Sequence, residues 1–96
     1  MTSERRKEIE GRAIRTYGEQ PQVDVTIEEM SELTKELLKL RRESTQAGFQ
    51  KRRESIKEEI ADVQIMLDQM RIIFGDTSSQ EEYKLNRLWA RMEAET

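Results

Sequence analysis

The longest uninterrupted apolar pattern in the chain runs from Ile56 to Phe74, and its residues recur at intervals of three and four. Its main positions are Ile56, Ile60, Val63, Leu67, Met70 and Ile73. A second set widens the stripe: Ile65, Met66, Ile72 and Phe74. This spacing is typical of one face of an α-helix, because a half-buried strand would alternate every two residues. We therefore predict a helix that ends at Gly75 and lies at the centre of a bundle.

The first half of the chain also predicts helices, and the whole sequence has only one proline and four glycines. A first helix is expected over Ser3–Tyr17, with Gly18 in a position suited to a C-terminal cap. The segment "GEQPQVDV" is expected to be a connection in which Pro21 stops the helix. A second helix is then predicted to start near Thr26, because Thr26 and Glu29 have the spacing of a capping box.

The second and last helices each carry an apolar face. In the second helix this face consists of Ile27, Met30, Leu33, Leu37, Leu38 and Leu40. The pattern then fades, and Gly48 marks a predicted bend or loop. Ser79 and Glu82 are expected to form the capping box of a last helix, whose apolar residues are Leu85, Leu88, Trp89 and Met92. The sequence therefore predicts an all-α, four-helix bundle-like subunit.

The size of the chain suggests that the subunit associates with copies of itself. It has 96 residues, of which 34% are hydrophobic and 39% are charged, so a single domain is expected to have a thin core. Small domains bury a smaller share of their surface, and oligomerisation is a common remedy. We expect a dimer or a larger assembly.

Several classes of function are disfavoured by the composition. The chain has no cysteine and no histidine, which excludes thiolate zinc sites, imidazole ligands and Ser-His or Cys-His nucleophile pairs. Its net charge of −3 is unlike that of a general nucleic-acid binder. No apolar run approaches the roughly 20 residues that span a bilayer, and "MTSERRKEIEGR" lacks the apolar core of a secretory signal. We expect a soluble cytoplasmic protein without nucleic-acid or membrane partners.

Two pairs of acids lie beside the apolar stripes of the predicted helices. Glu29 and Glu32 share one helical face, and so do Glu59 and Asp62, because residues three apart are neighbours on a helix. If the two stripes pack together, the four carboxylates converge. Their mutual repulsion then requires either pairing with Lys and Arg or a divalent cation. An oxygen-only site of this kind suits Mg²⁺ or Mn²⁺.

An ordinary explanation for the same acids stays open at this point. Glutamate is common on helical surfaces, and in a chain that is 39% charged the pattern E-x-x-E arises by chance. Glu29 is also explained as one half of a capping box. Spacing alone does not decide between a metal site and a solvated helix face.

The order of the two acidic motifs resembles that of a known superfamily. "EEMSEL" lies on one predicted helix and "EEIADVQIMLDQM" on the next, while "AIRTYGEQPQ" precedes them and "YKLNRLWARM" follows. This arrangement is similar to the MazG-like, all-α nucleoside triphosphate pyrophosphohydrolases, whose hallmark is E-x-x-E followed by E-x-x-D. Glu29 and Glu32 match the first element, and Glu59 and Asp62 match the second. The resemblance covers about residues 10–92 and implies that residues 1–96 form a single MazG-like domain.

The resemblance implies a Mg²⁺-dependent hydrolase, with Mn²⁺ as an alternative cation. Such an enzyme cleaves an NTP or dNTP between the α- and β-phosphates, giving a monophosphate and pyrophosphate by attack of a metal-activated water. It also implies a homodimer or homotetramer. The residues implied as metal-binding and catalytic are Glu29, Glu32, Glu59 and Asp62; those implied as substrate-binding are Lys84, Arg87 and Gln22.

Other interpretations accompany the resemblance. Lys84 and Arg87 are equally explained as surface charge, and Gln22 as a turn residue. The same helices also suit a non-catalytic interaction or regulatory module that has this fold without the activity. Within the superfamily, a phosphoribosyl-ATP pyrophosphatase-type enzyme is a further alternative, which a panel of substrates would separate from the first.

Overall fold

The computed structural model describes residues 1–95, which form four α-helices and no strand. Helix α1 spans Ser3–Tyr17, α2 Glu19–Leu40, α3 Gln46–Phe74 and α4 Ser78–Glu95. The prediction of an all-α chain with four helices is confirmed. None of these helices, over the part of the chain described, is long and apolar enough to cross a membrane.

Helix α1 has the bounds that the sequence predicts. At its start the Thr2 hydroxyl oxygen accepts a hydrogen bond from the backbone N–H of Arg5 at 3.0 Å. At its end Gly18 adopts a φ of 98°, and its N–H donates to the carbonyl of Ile14 at 2.8 Å. A positive φ of this kind is accessible to glycine at little cost, which explains why the helix ends there.

Helix α2 begins at Glu19, so the prediction of a start near Thr26 is wrong. Pro21 lies in the first turn, where a backbone N–H has no acceptor within the helix, and the ring therefore breaks no hydrogen bond. Thr26 is buried inside α2, and its hydroxyl donates to the carbonyl of Gln22 at 2.8 Å instead of capping the helix. Gly18 alone separates α1 from α2.

Helix α3 begins at Gln46, so the prediction of a bend at Gly48 is also wrong. The Thr45 hydroxyl oxygen caps the helix by accepting from the N–H of Gly48 at 3.0 Å. A Cβ atom on residue 48 would lie 2.5 Å from Oε2 of Glu43, so the glycine permits a close approach. The far end agrees with the sequence: α3 ends at Phe74, and Gly75 follows with a φ of 117°.

Helix α4 begins at Ser78, which places Ser79 inside the helix and makes the predicted capping box with Glu82 wrong. Thr77 directly precedes the helix. Its hydroxyl donates to Oε2 of Glu81 at 2.6 Å, and its carbonyl accepts from the N–H of Glu81 at 2.9 Å. The residue before the helix is therefore two positions earlier than predicted.

Helix α3 packs against both α1 and α2, as expected of a central element, whereas α4 does not pack against the other three helices within residues 1–95. Its link to α3 is an ion pair in which Nε of Arg71 lies 4.0 Å from Oε2 of Glu81. The apolar stripe of α3 is only partly covered: Ile60 is 51% exposed and Ile72 is 47% exposed. Among the described residues only two hydrophobic side chains are buried, Ile56 and Met66. The buried polar residues are Glu10, Gln22, Thr26 and Gln69. Two neighbouring helices are too few to cover a stripe this wide.

Candidate metal centre

Three carboxylates from α2 and α3 meet in the middle of the helix pair. One oxygen each of Glu29, Glu59 and Asp62 lies within 4.8 Å of the other two. Glu29 and Glu59 are half-buried and Asp62 is exposed. Glu32 lies outside this group; it is exposed, and Nζ of Lys35 is 4.0 Å from its Oε1. The structure thus brings together three of the four acids that the motifs indicate.

The register between α2 and α3 is what places these acids opposite each other. Near the start of α2, Gln22 pairs with Gln69, and near its end Glu36 pairs with Arg52. As the residue number rises along α2, the number of its partner on α3 falls, so the two helices are antiparallel. Glu29 lies between these two links on α2, as Glu59 and Asp62 do on α3.

The electrostatics of the cluster disfavour its ionised form. Burial, followed by the charges of Asp62 and Glu59, raises the pKa of Glu29 above its ordinary value. Burial, followed by the charges of Asp62 and Glu32, likewise raises the pKa of Glu59. Within residues 1–95 no Lys or Arg forms an ion pair with any of the three clustered acids. Of the two remedies for repulsion considered from the sequence, pairing with basic side chains is therefore not used.

One buried carboxylate oxygen in the cluster has no hydrogen-bond partner, and a bound cation would fill that role. Oε2 of Glu59 is inaccessible to solvent and accepts no hydrogen bond. A buried polar atom without a partner costs about 1–3 kcal/mol, more if it is charged. The donor set consists of carboxylate oxygens only, which is the set that Mg²⁺ and Mn²⁺ prefer. The residues present therefore fit a hard divalent cation.

Arg52, on the same helix as Glu59 and Asp62, is engaged by two other acids. Nη1 of Arg52 donates to Oε2 of Glu36 at 2.7 Å, and its Nη2 donates to Oε1 of Glu43 at 3.0 Å. The hydrogen bond from Arg52 is the main cause that lowers the pKa of Glu36. Nζ of Lys39 also lies 3.6 Å from Oε1 of Glu36, within the same helix.

The three predicted substrate-binding residues lie away from the acids in the single chain. Gln22 is buried, and its amide donates to Oε1 of Gln69 at 2.6 Å, so its side chain lies in the interface between α2 and α3. Lys84 and Arg87 are exposed on α4, where the guanidinium of Arg87 lies 5.9 Å from the ring centroid of Tyr83. Since α4 does not pack against the other described helices, neither cation meets the cluster within one chain.

A second group of charged residues, between α1 and α3, escaped the sequence reasoning. Glu10 is only 3% exposed, and it lies near Arg6 of its own helix and Asp68 of α3. A signal for its burial exists in the sequence, because Glu10 shares a helical face with Ala13, Ile14 and Tyr17. Those are the residues that carry the weak apolar pattern of α1.

Comparison of the chain with protein-family models, curated proteins and solved structures found no match. Any functional assignment therefore depends on the residues of this chain. Those residues supply two ordered acidic motifs, a cluster of three carboxylates and a buried oxygen without a partner.

Proposed function

We propose that this protein is a Mg²⁺-dependent nucleotide pyrophosphohydrolase of the MazG-like type. Its reaction adds water across the anhydride between the α- and β-phosphates of an NTP or dNTP, and the products are the monophosphate and pyrophosphate. The observation that carries the proposal is the meeting of Glu29, Glu59 and Asp62 within 4.8 Å, without a basic partner in the described residues. These acids come from the two motifs that resemble the superfamily.

The proposed metal ligands are Glu29, Glu59 and Asp62, and Glu32 joins them from the next turn of α2. When bound, the cation neutralises triphosphate charge and lowers the pKa of a coordinated water. The chain holds the acids on two packed helices, which fixes their positions better than a loop would. The proposed reaction needs no covalent protein intermediate, in keeping with a chain that has no histidine and no cysteine.

We also propose that the active form is a homodimer or homotetramer in which α4 packs against a second copy. In the single chain α4 has no buried residue, and Trp89 is 63% exposed. Lys84 and Arg87 lie on this same helix, so its docking on a partner copy is the proposed route by which they reach the phosphates. Without that docking both cations remain remote from the carboxylates.

The uncovered apolar face of α4 also favours a second candidate, a non-catalytic helical module that binds a protein partner. Leu85, Leu88 and Met92 are all exposed on this helix. In that case the acids hold no cation, and Mg²⁺ has no effect on the thermal stability of the protein. Metal dependence therefore separates the two candidates.

The decisive experiment measures pyrophosphate release from a panel of NTPs and dNTPs, and from phosphoribosyl-ATP, with Mg²⁺, with Mn²⁺ and with chelator. The matched pair of variants is Glu59→Gln and Glu58→Gln, since Glu58 is the exposed neighbour of Glu59. Mutating a residue that hydrogen-bonds to a metal ligand typically lowers activity about 10–100-fold. Glu59→Gln removes a proposed ligand itself, so it should lower activity at least about 100-fold.

The expected result is metal-dependent release of pyrophosphate, which Glu59→Gln removes and Glu58→Gln retains. Equal rates for the two variants would show that the site is assigned wrongly. The helical module would be favoured if no nucleotide released pyrophosphate and the melting temperature were the same with and without each cation. A preference for phosphoribosyl-ATP would identify the related enzyme type.

A further inference from the structure

Helix α1 is held on α3 by a small group of charged side chains. Nε of Arg6 donates to Oδ2 of Asp68 at 2.7 Å, and Nη1 of Arg71 donates to Oδ1 of the same carboxylate at 3.2 Å. Glu10 follows Arg6 by one turn on the same face of α1, and its carboxyl group also contacts Asp68. The contact between the two helices is therefore centred on two carboxyl groups and the guanidinium groups beside them.

Glu10 is the innermost member of this group. It is 3% exposed, and within α1, all of which the structure describes, it is the one buried residue. The apolar residues of the helix contribute less to the packing, since Ile9 and Tyr17 are exposed and Ile14 is half-buried. The docking of α1 therefore depends on the state of a carboxyl group more than it would in an apolar interface.

The two carboxyl groups are joined by a proton. An ionised carboxylate only accepts hydrogen bonds, so Glu10 and Asp68 are bonded to each other only while one of them is protonated. Burial, followed by the hydrogen bond and charge of Asp68, raises the pKa of Glu10 to about 7, and Arg6 opposes this shift. Burial acts to raise the pKa of Asp68 as well, but hydrogen bonds from Glu10, Arg6 and Gln64 outweigh it and lower the pKa. Glu10 is therefore the member that carries the proton.

Loss of this proton leaves Glu10 ionised in a buried position beside a second anion. Oε2 of Glu10 has no hydrogen-bond partner, and Nε of Arg6, 3.6 Å away, already donates to Asp68. Buried like charges repel each other strongly. Movement of α1 away from α3 relieves this repulsion, because both carboxylates then reach water.

The other charged groups near this contact do not replace the proton. Those that line the same cavity as Glu10 are Arg6, Lys7, Asp68, Arg71 and Asp76. Lys7 is exposed, so water screens its charge, and Arg71 is bound to Asp68. From α2, which also packs against α1, the buried side chains are Gln22 and Thr26, and neither is titratable.

A single glycine connects α1 to the rest of the bundle. Gly18 alone separates Tyr17 from Glu19, and its φ is 98°. Glycine adopts many backbone conformations at little cost, and hinges are a few residues that absorb changes in φ and ψ. A rotation at Gly18 can therefore move α1 as a unit while α2 stays paired with α3.

The composition makes this pair of carboxyl groups a sensor of pH near neutrality. Histidine is the side chain whose ordinary pKa lies between pH 5 and pH 8, and the chain has neither histidine nor cysteine. Glu29 and Glu59, whose pKa values burial also raises, lie between α2 and α3. Glu10 is the titrating group at the contact of α1 with α3.

We propose that α1 is a pH-gated arm of the bundle. In mildly acidic solution protonated Glu10 donates a hydrogen bond to Asp68 and holds α1 on α3. When Glu10 loses its proton, α1 swings away about Gly18 while α2 and α3 stay paired. This device is independent of the proposed hydrolase activity.

The direction of the switch follows from proton linkage. The pKa of Glu10 is about 7 when α1 is docked and returns towards the ordinary value of 4.5 when the released side chain reaches water. Between these values the docked form binds more protons than the released form, so docking weakens as the pH rises. Docking is strongest below about pH 4.5, and its dependence on pH levels off above about pH 7.

The test is native-state hydrogen exchange of the whole chain from pH 5 to pH 8, with each rate divided by the intrinsic rate at that pH. At pH 8 the amides of α1 are expected to be less protected than those of α3, and low urea concentrations should leave their exchange unchanged, because the opening is local. Protection of α1 should fall about 50-fold between pH 5 and pH 8. Equal protection of α1 and α3, or protection of α1 that does not fall, overturns the proposal.

Two variants assign the dependence on pH, and each has a matched control. Glu10→Gln keeps a donor for Asp68 but has no proton to lose, so the fall in protection of α1 should disappear. Glu8→Gln, on the exposed side of α1, should retain it. Asp68→Asn should reduce the fall, because its amide can donate to an ionised Glu10, whereas Asp76→Asn at the edge of the same cavity should not.

A full fall in protection in Glu10→Gln or in Asp68→Asn contradicts the proposal. Circular dichroism at pH 5 confirms that each variant is folded. If Glu10→Gln does not fold, Asp68→Asn decides the matter, because Asp68 is only partly buried and asparagine has nearly the same shape.

Discussion

The side-chain amide of Gln22 donates a hydrogen bond of 2.6 Å to Oε1 of Gln69, and both side chains are buried between α2 and α3. The amide of Gln69 in turn lies 3.7 Å from the sulfur of Met66. With the link between Glu36 and Arg52 further along, this pair sets the register that brings Glu29 opposite Glu59. The polar interior therefore has a structural role that a purely apolar stripe would not perform.

Replacing one glutamine of this pair should destabilise the protein more than replacing both. Gln22→Leu leaves Oε1 of Gln69 buried without a donor, which costs about 1–3 kcal/mol of unfolding free energy. The double variant Gln22→Leu/Gln69→Leu removes both polar groups and should recover most of that loss. Urea unfolding of the two single variants and the double variant measures the coupling. Additive losses would show that the hydrogen bond contributes little.

Arg52→Ala should release two acids from their shared partner. The side chain of Arg52 is only 25% exposed and bridges Glu36 and Glu43, so its loss should lower the free energy of unfolding. The pKa of Glu36, which Arg52 lowers, should rise towards its ordinary value. Chemical denaturation and an NMR titration of the glutamate carboxyl carbons measure the two effects. Arg53→Ala, at the exposed neighbouring position, should leave both unchanged.

Glu59→Gln should change stability in opposite directions with and without a divalent cation. In chelator the variant should melt at a higher temperature, because it removes a half-buried charge from a repelling cluster. With Mg²⁺ at about 100 times its dissociation constant, the unaltered protein should gain about 2.7 kcal/mol, and the variant should lose most of this gain. Differential scanning calorimetry compares both with Glu58→Gln. A Mg²⁺ effect that survives in Glu59→Gln would place the cation elsewhere.

Glu10 should make the protein less stable as the pH rises towards neutrality. Its pKa is about 7 in the folded chain against an ordinary value of 4.5, so between these values the folded state binds more protons than the unfolded state. The free energy of unfolding therefore falls as the pH rises from about 4.5 to about 7. Glu10→Gln should flatten this slope, and Glu8→Gln should not. Urea midpoints across this range supply the measurement, and equal slopes in both variants would contradict the assignment.

Leu88→Lys should weaken association between copies, if α4 packs against a partner as proposed. Leu88 is 45% exposed in the single chain, and a charge at a buried apolar contact would be costly. Analytical ultracentrifugation over a range of concentrations should show a larger dissociation constant than for the unaltered protein. Gln80→Lys introduces the same charge elsewhere on α4 and serves as the control. Equal association of the two variants would exclude this face from the interface.

The sequence predicted a helix boundary correctly where only one residue near that boundary could cap or end the helix. The bounds of α1 and the end of α3 were predicted correctly, because Gly18 and Gly75 each adopt a positive φ that stops a helix. The predicted starts of α2 and α4 and the predicted bend at Gly48 were wrong, since several residues near each of these points have the chemistry of a cap or a breaker. Pro21 illustrates this ambiguity: the same ring ends a helix from its interior and is tolerated in its first turn.

The sequence by itself determined the helical class and the face on which each acidic pair lies, because a period of 3.6 residues is a property of the helix alone. Only the tertiary structure decided that Glu29 meets Glu59 and Asp62 while Glu32 lies outside their group. It also decided that Glu10 and Gln22 are buried. These outcomes depend on the register and rotation of one helix against another, which are set by contacts between residues far apart in the chain.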